Sequence, residues 1–128
     1  MSAFRSALLL STLLLGGCIV HVKDSDLNER EASWQRAERE NRDAIAALAL
    51  GAHIDDVRAR LGSPEFSEAF HSERGEHRVL FYRTQRVHAD GMTTREETTP
   101  LVFFGDRLTG WGTRAWAELT DRPLSGRF

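Results

Sequence analysis

The chain has 128 residues, a formal net charge of -2, 41% hydrophobic residues and 28% charged residues. This length suits a single domain with its own core, and the composition is typical of a folded protein. A nearly neutral chain lacks the concentrated basic surface that nucleic-acid binding needs, so we expect no nucleic-acid partner. The single cysteine, Cys18, excludes an internal disulfide and a thiolate zinc site.

The first 17 residues have the pattern of a secretory signal. Residues 1–6 carry one positive charge, at Arg5, and residues 7–15 are aliphatic except for Ser11 and Thr12. A membrane-spanning helix needs about 20 apolar residues, and this run ends before two glycines. The pattern therefore predicts a signal peptide over residues 1–17 rather than a membrane span.

The end of this segment, Leu15-Gly16-Gly17-Cys18, resembles the lipobox of bacterial lipoproteins. The resemblance implies cleavage between Gly17 and Cys18, a diacylglyceryl thioether on Cys18, and a further acyl chain on its freed amine. One acyl chain binds a membrane only marginally, whereas two or more anchor a protein stably. We expect a lipid-anchored protein, with plain secretion as the alternative. Ile19, where inner-membrane lipoproteins tend to have aspartate, favours the periplasmic face of the outer membrane.

Residues 18–33 are mostly polar and charged, and they predict a tether that lets a globular part stand off the membrane. The alternative is that the second half of this tether is already helical. Apolar and small residues then recur at helical spacing and predict an amphipathic helix from Trp34 to Leu50. Ser33 is its predicted N-cap, and Gly51 is the predicted residue after its end.

A second, shorter helix is predicted over residues 54–61, closed by Gly62 and stopped by Pro64. Acidic residues fall in its first turn and basic residues toward its last turn, which matches the helix dipole. This structural role accounts for the charges without a catalytic one. The charged residues are Asp55, Asp56, Arg58 and Arg60.

After Pro64 the hydrophobic pattern changes to that of strands. We predict a hairpin around a turn at residues 73–76, a second turn at Asp90-Gly91, and a third turn at Gly105-Asp106. The predicted strands after the first turn cover residues 79–87, 98–104 and 108–112. Together these elements predict an α+β domain over residues 34–128, with two N-terminal helices on a three- or four-stranded antiparallel meander sheet.

Apolar residues occupy consecutive positions in two predicted strands, at residues 80–82 and 101–104. A sheet with one solvated face alternates apolar and polar residues, so consecutive apolar residues indicate strands covered on both sides. The cover is predicted to be either the tail from Thr113 to Phe128 or a protein partner. We favour the tail, because a short helix carrying Trp116 and Leu119 is the nearest source of apolar surface.

A set of short segments between Asn41 and Gly112 has the pattern of a known family. These segments are Asn41-Arg42, Ala44-Ile45, Leu48, Leu50-Gly51, Val57, Leu61 to Pro64, Phe66 to Phe70, Tyr82 to Thr84, Asp90 to Thr94, Leu101 to Phe103 and Gly110 to Gly112. Over this range the sequence resembles an uncharacterised family of proteobacterial lipoproteins. More distantly, it is similar to the BamE-type (SmpA/OmlA) small outer-membrane lipoproteins, which implies a helix-helix-sheet layout and contacts that support outer-membrane β-barrel assembly. His53 departs from the Ser or Thr expected before the second helix, which puts capping there in doubt.

Motifs for catalysis or metal binding do not stand out from the residue pattern. The five histidines lack the fixed spacing of a metal motif, and no nucleophile elbow or phosphate-binding glycine loop occurs. We therefore expect neither an enzyme nor a metal or other cofactor beyond the lipid. Arg83, within an apolar strand, is predicted to pair with Glu68 or Glu97, or to stack on an aromatic ring.

These observations predict a non-catalytic lipoprotein that works as an envelope assembly, scaffolding or other protein-interaction module, with an unidentified envelope protein as partner. The alternative is a periplasmic lipoprotein that binds a small molecule or peptidoglycan, or a small enzyme with a pocket beside the sheet. The predicted contact residues are Tyr82, Asp90, Gly91, Thr93, Thr94 and Trp111.

Overall fold

The structure is a computed structural model that describes residues 22–126, with side chains described from residue 26. The predicted signal peptide, its cleavage site and Cys18 lie outside the described residues. The elements in chain order are α1 (Val22–Ala46), α2 (Ile54–Leu61), β1 (Phe66–Ser72), β2 (Gly75–Arg83), a 3₁₀ turn (Arg95–Glu97), β3 (Thr98–Phe104), β4 (Arg107–Trp111) and α3 (Gly112–Thr120).

The four strands form one antiparallel sheet in the order β1-β2-β3-β4. Helices α1 and α2 pack on one face, which we call the first face, and α3 packs on the other, the second face. The predicted α+β architecture is therefore confirmed, as is the meander order of the strands. In this part of the chain, no helix is long and apolar enough to cross a membrane.

Each face of the sheet has its own apolar cluster. The tail covers the second face as predicted: Trp116 of α3 is buried and meets Phe81 edge-on, with 5.4 Å between ring centroids. Because both faces are covered, neighbouring strand residues are buried together. The first-face cluster consists of Ile45, Ile54, Val57, Leu80, Tyr82, Leu101, Phe103 and Leu108, and the second-face cluster of Val79, Phe81, Val102 and Trp116.

Helix α1 begins twelve residues earlier than the predicted Trp34, at Val22. The predicted tether is therefore helical over most of its length, which agrees with the alternative and extends it. Its residues between 26 and 33 are exposed, and the whole helix contains neither Gly nor Pro. Charged residues with good helix propensity form this part of the helix without an apolar stripe.

The predicted end of the first helix, Leu50, is wrong, because α1 ends at Ala46. The following residues turn to pair with β4: the Gly51 N–H donates to the Leu108 carbonyl at 2.7 Å, and the Leu108 N–H donates to the Ala52 carbonyl at 2.9 Å. Tertiary pairing with the sheet replaces the last helical turn here.

Helix α2 has its predicted bounds and ends at Gly62, whose φ is 78°. The doubt about its N-cap is resolved in favour of His53, whose Nδ1 accepts the Asp55 N–H at 3.1 Å. Its Nε2 lies 3.0 Å from the Asp106 carboxylate. The imidazole therefore takes the capping role that Ser or Thr usually has, and it joins α2 to the β3–β4 turn.

Strand β2 spans Gly75–Arg83 instead of the predicted residues 79–87. It ends at Arg83 because the next two residues, Thr84 and Gln85, direct their N–H groups to the carbonyl of Glu97, at 3.0 and 3.2 Å. Strand β3 has the predicted first and last residues. The chain from 84 to 97, which we call the connecting loop, links these two strands.

Candidate interaction surface

The connecting loop is held in place by one buried carboxylate. Glu97 is 0% exposed, and its Oε1 accepts the N–H groups of Val87 and His88, both at 2.9 Å. Its Oε2 accepts the N–H of Thr94 at 3.0 Å. Val87 and His88 precede the tip of the loop and Thr94 follows it, so the Glu97 side chain fixes the loop on both sides of its tip.

The same contacts set the protonation state of Glu97. Burial acts to raise the pKa of this carboxyl, but the three backbone N–H groups and the Arg83 guanidinium outweigh burial and hold the pKa below its usual value. The carboxylate is therefore the form that the fold requires.

Acid is expected to weaken the fold through Glu97. Because its folded-state pKa is lowered, its contribution to stability is full above the usual glutamate pKa of about 4.3 and is lost as the pH falls through the folded-state pKa. Urea titrations followed by circular dichroism between pH 7 and pH 3 should show this loss. Below pH about 4.3, the free energy of unfolding should fall less steeply with falling pH in Glu97→Gln than in wild type. An identical pH dependence in that variant would contradict the role of the Glu97 carboxylate.

Arg83, the last residue of β2, is the cation at the centre of the loop's base. Its Nε lies 2.8 Å from Oε1 of Glu38 on α1, and its Nη1 donates to Oγ1 of Thr93 at 2.8 Å. Its Nη2 lies 3.9 Å from Glu97, and its guanidinium sits 5.0 Å from the ring centroid of Trp34. The predictions of a Glu97 pair and an aromatic stack are thus both confirmed, whereas Glu68 pairs with Arg95 instead.

One face of α1 contacts the connecting loop and the end of β2. Glu31 pairs with Arg86 at 2.6 Å, Glu38 pairs with Arg83, and the Asn41 side-chain amide donates to the Arg83 carbonyl at 2.8 Å. Residues 31, 34, 38, 41 and 45 share this face because they are three or four positions apart. The helix and the loop therefore form one joined surface.

Besides Leu27 near the start of α1, these two segments expose three large apolar side chains, and we call these three the apolar patch. Trp34 is 38% exposed, Val87 49% and Met92 51%. A Cβ atom at Gly91 would lie 4.0 Å from Cη2 of Trp34, so the loop's tip approaches this ring. Exposed apolar side chains mark a contact surface where they adjoin one another.

Four of the predicted contact residues lie on this loop. Asp90 and Gly91 are exposed at its tip, where Oδ1 of Asp90 accepts the Met92 N–H at 3.0 Å and Gly91 has φ 73°. Thr93 is half-buried and binds Arg83, and Thr94 is buried. The predicted turn at Asp90-Gly91 is confirmed, and the two threonines lie beneath the surface it presents.

Tyr82 and Trp111, the other two predicted contact residues, lie away from this surface. Tyr82 is 1% exposed, and its hydroxyl donates to the Gly62 carbonyl at 2.9 Å. Burial raises the pKa of this phenol, although Arg58 opposes the shift. Trp111 is half-buried against the first-face cluster. Tyr82 is therefore a core residue that cannot contact a partner directly.

The buried acidic side chains at the base of this surface are directed at one cation. The buried carboxylates of Glu38 and Glu97 both face Arg83, and no three metal-ligating side chains converge within residues 26–126. Sequence reasoning missed Glu38 and Val87, whereas Met92 lies within the predicted contact loop from Asp90 to Thr94. Glu38 could have been found from its position on the helix face that carries Trp34 and Ile45, but Val87 has no periodic pattern that would mark it.

The fold and this surface define a small α+β domain with helices on both sheet faces and an apolar patch formed by α1 and a fixed loop. The chain belongs to the DUF3192 family, described as a protein of unknown function, whose pattern matches residues 16–118. Neither a curated protein nor a solved structure gives a match.

Proposed function

We propose that this chain is a lipid-anchored, non-catalytic interaction module that contacts an envelope protein at the periplasmic face of the outer membrane. The apolar patch carries the proposal, because Trp and Met are enriched where protein interfaces are fully buried. The ionic contacts of Arg83 and Glu97 support it, since a loop that is already fixed loses little conformational entropy on binding.

The lipobox-like segment, Leu15 to Cys18, supports the anchor, and the family match begins within it, at Gly16. Helix α1 begins at Val22, four residues after Cys18, so a lipid on Cys18 would hold the start of the helix within about 14 Å of the bilayer surface. Trp34 lies about 18 Å further along the helix.

The anchor is tested by labelling cells with radioactive palmitate. Wild type is expected to incorporate label and to fractionate with membranes, whereas Cys18→Ala should incorporate none and move to the soluble fraction, because its acyl chains are lost. Unlabelled, freely soluble wild type would rule out the anchor.

The contact surface is tested by placing a photo-crosslinking amino acid at Met92 in the full-length chain and irradiating cells. A single protein adduct is expected, because Met92 lies in the apolar patch. Leu50 is the matched control, since it is 65% exposed but lies outside the patch. Equal adducts at both positions, or none at Met92, would contradict the proposed surface.

A further inference from the structure

The two edges of the sheet differ in how they are closed. Along β4, residues 51–54 pair with the strand: the Leu108 N–H donates to Ala52, and the Ile54 N–H donates to the Asp106 carbonyl at 2.8 Å. Strand β1 lies at the opposite edge, and no described segment pairs with its outer side. The sheet therefore has one open edge within residues 22–126.

The direction of the backbone groups on β1 follows from one hydrogen bond. The Gly105 N–H donates to the Glu76 carbonyl at 2.8 Å, so the backbone N–H and C=O of Glu76 point to β3, and those of the next residue, His77, point to β1. The partner of His77 on β1 is Phe70, whose backbone groups therefore point to β2. The backbone groups of every second residue of β1 point away from β2. The N–H and C=O groups of Ser67, Ala69 and His71 are thus directed outward.

The usual protections of an edge strand are missing from β1. It spans seven residues with no Lys, Pro or bulge, although such features normally prevent pairing with another chain. Its only charged side chain, Glu68, points to the second face and is paired with Arg95. The edge can accept a further strand without leaving a charge unpaired.

An open groove of about 660 Å³ lies on the second face beside this edge, between β1 and α3. Phe70 and Leu119 give it apolar walls, and Arg122, which makes no ion pair among the described residues, adds a cation. Trp116 also lines the groove and is 4% exposed. The groove therefore combines apolar walls with one cation that makes no ion pair in the described chain.

We infer that β1 and this groove bind an extended peptide segment of a partner protein as a fifth strand. The segment pairs through its main chain with Ser67, Ala69 and His71, and its alternate side chains enter the groove. Apolar side chains pack on Phe70 and Leu119, and one carboxylate faces Arg122. This inference rests on the proposed interaction role and names the kind of partner.

The test uses the full-length chain in detergent and a fluorescein-labelled peptide of alternating valine and threonine with one central aspartate. Ala69→Pro removes the central outward N–H, and an edge position tolerates proline, so binding measured by anisotropy should weaken at least about tenfold. Ala69→Thr, which keeps the N–H, is the matched control and should bind like wild type. Circular dichroism checks that both variants are folded.

Replacing the peptide's aspartate by asparagine should weaken binding to wild type several-fold but leave binding to Arg122→Gln unchanged. Absent binding to wild type, or equal binding to Ala69→Pro, overturns the inference. So does a wild-type dimer that Ala69→Pro dissociates, because the edge then pairs with a second copy. Crosslinking at Met92 and lipid labelling at Cys18 do not depend on the β1 edge, so failure here is distinguishable from failure of the proposed function.

Discussion

Replacing Glu97 by alanine is expected to lower the free energy of unfolding by about 3–5 kcal/mol. The substitution leaves the buried N–H groups of Val87, His88 and Thr94 without their acceptor. It also removes one of the two carboxylates that face the buried Arg83. Urea denaturation at pH 7, followed by far-UV circular dichroism, measures the loss.

Two variants separate the carboxylate from general effects of mutation. Glu97→Gln keeps one acceptor oxygen and should lose less stability than Glu97→Ala. Glu96→Ala changes the neighbouring half-buried residue, whose carboxylate has no ion pair in the described chain, and should stay within about 0.5 kcal/mol of wild type. Hydrogen exchange should also accelerate at Val87, His88 and Thr94 in Glu97→Ala. Equal losses in the alanine variants of Glu96 and Glu97 would refute this role.

The architecture was predictable because hydrophobic periodicity reports burial directly. Consecutive apolar residues at 101–104 indicated a strand covered on both faces, and β3 has the predicted bounds. The predicted end of β2 was wrong because the strand's end depends on the backbone carbonyl of Glu97, which is 14 residues beyond Arg83 in the chain. Periodicity describes neighbours in sequence and carries no information about which distant carbonyl accepts a backbone N–H.

The length of α1 shows a second limit of sequence reasoning. Its first half lacks an apolar stripe, so the hydrophobic pattern placed its start at Trp34 instead of Val22. The charged residues there have good helix propensity, and Glu31 makes an ion pair with Arg86 of the connecting loop. Propensity could have indicated the helix, but the loop that it contacts could not be foreseen.

The candidate surface was predictable only at its turn. Asp90-Gly91 has a local turn signature, and both residues are exposed. Tyr82 was predicted to contact a partner, but strand alternation places it on the first face, where its hydroxyl binds the carbonyl of Gly62 at the end of α2. Exposure of Val87 and Met92 follows from the path of the loop, which Arg83 and Glu97 determine from a distance.

Trp116→Ala and Trp34→Ala are expected to differ strongly in the free energy of unfolding, although both replace a tryptophan by alanine. Trp116 is buried, meets Phe81 edge-on, and lies 5.4 Å from the Arg95 guanidinium. Its loss removes the centre of the second-face cluster and should lower the free energy of unfolding by about 3–5 kcal/mol. Trp34 is more than a third exposed and stacks only on Arg83 in the described contacts, so its loss should cost about 1 kcal/mol.

Urea denaturation followed by far-UV circular dichroism compares the two variants without depending on tryptophan fluorescence. Crosslinking from Met92 should rank the two variants in the opposite order, provided that both are folded. Trp34→Ala should lose most of the adduct, because the apolar patch loses its largest side chain. A stability loss in Trp34→Ala as large as that in Trp116→Ala would make Trp34 a core residue and remove it from the contact surface. A small stability loss combined with a lost adduct would separate the residue that holds the fold from the residue that meets the partner.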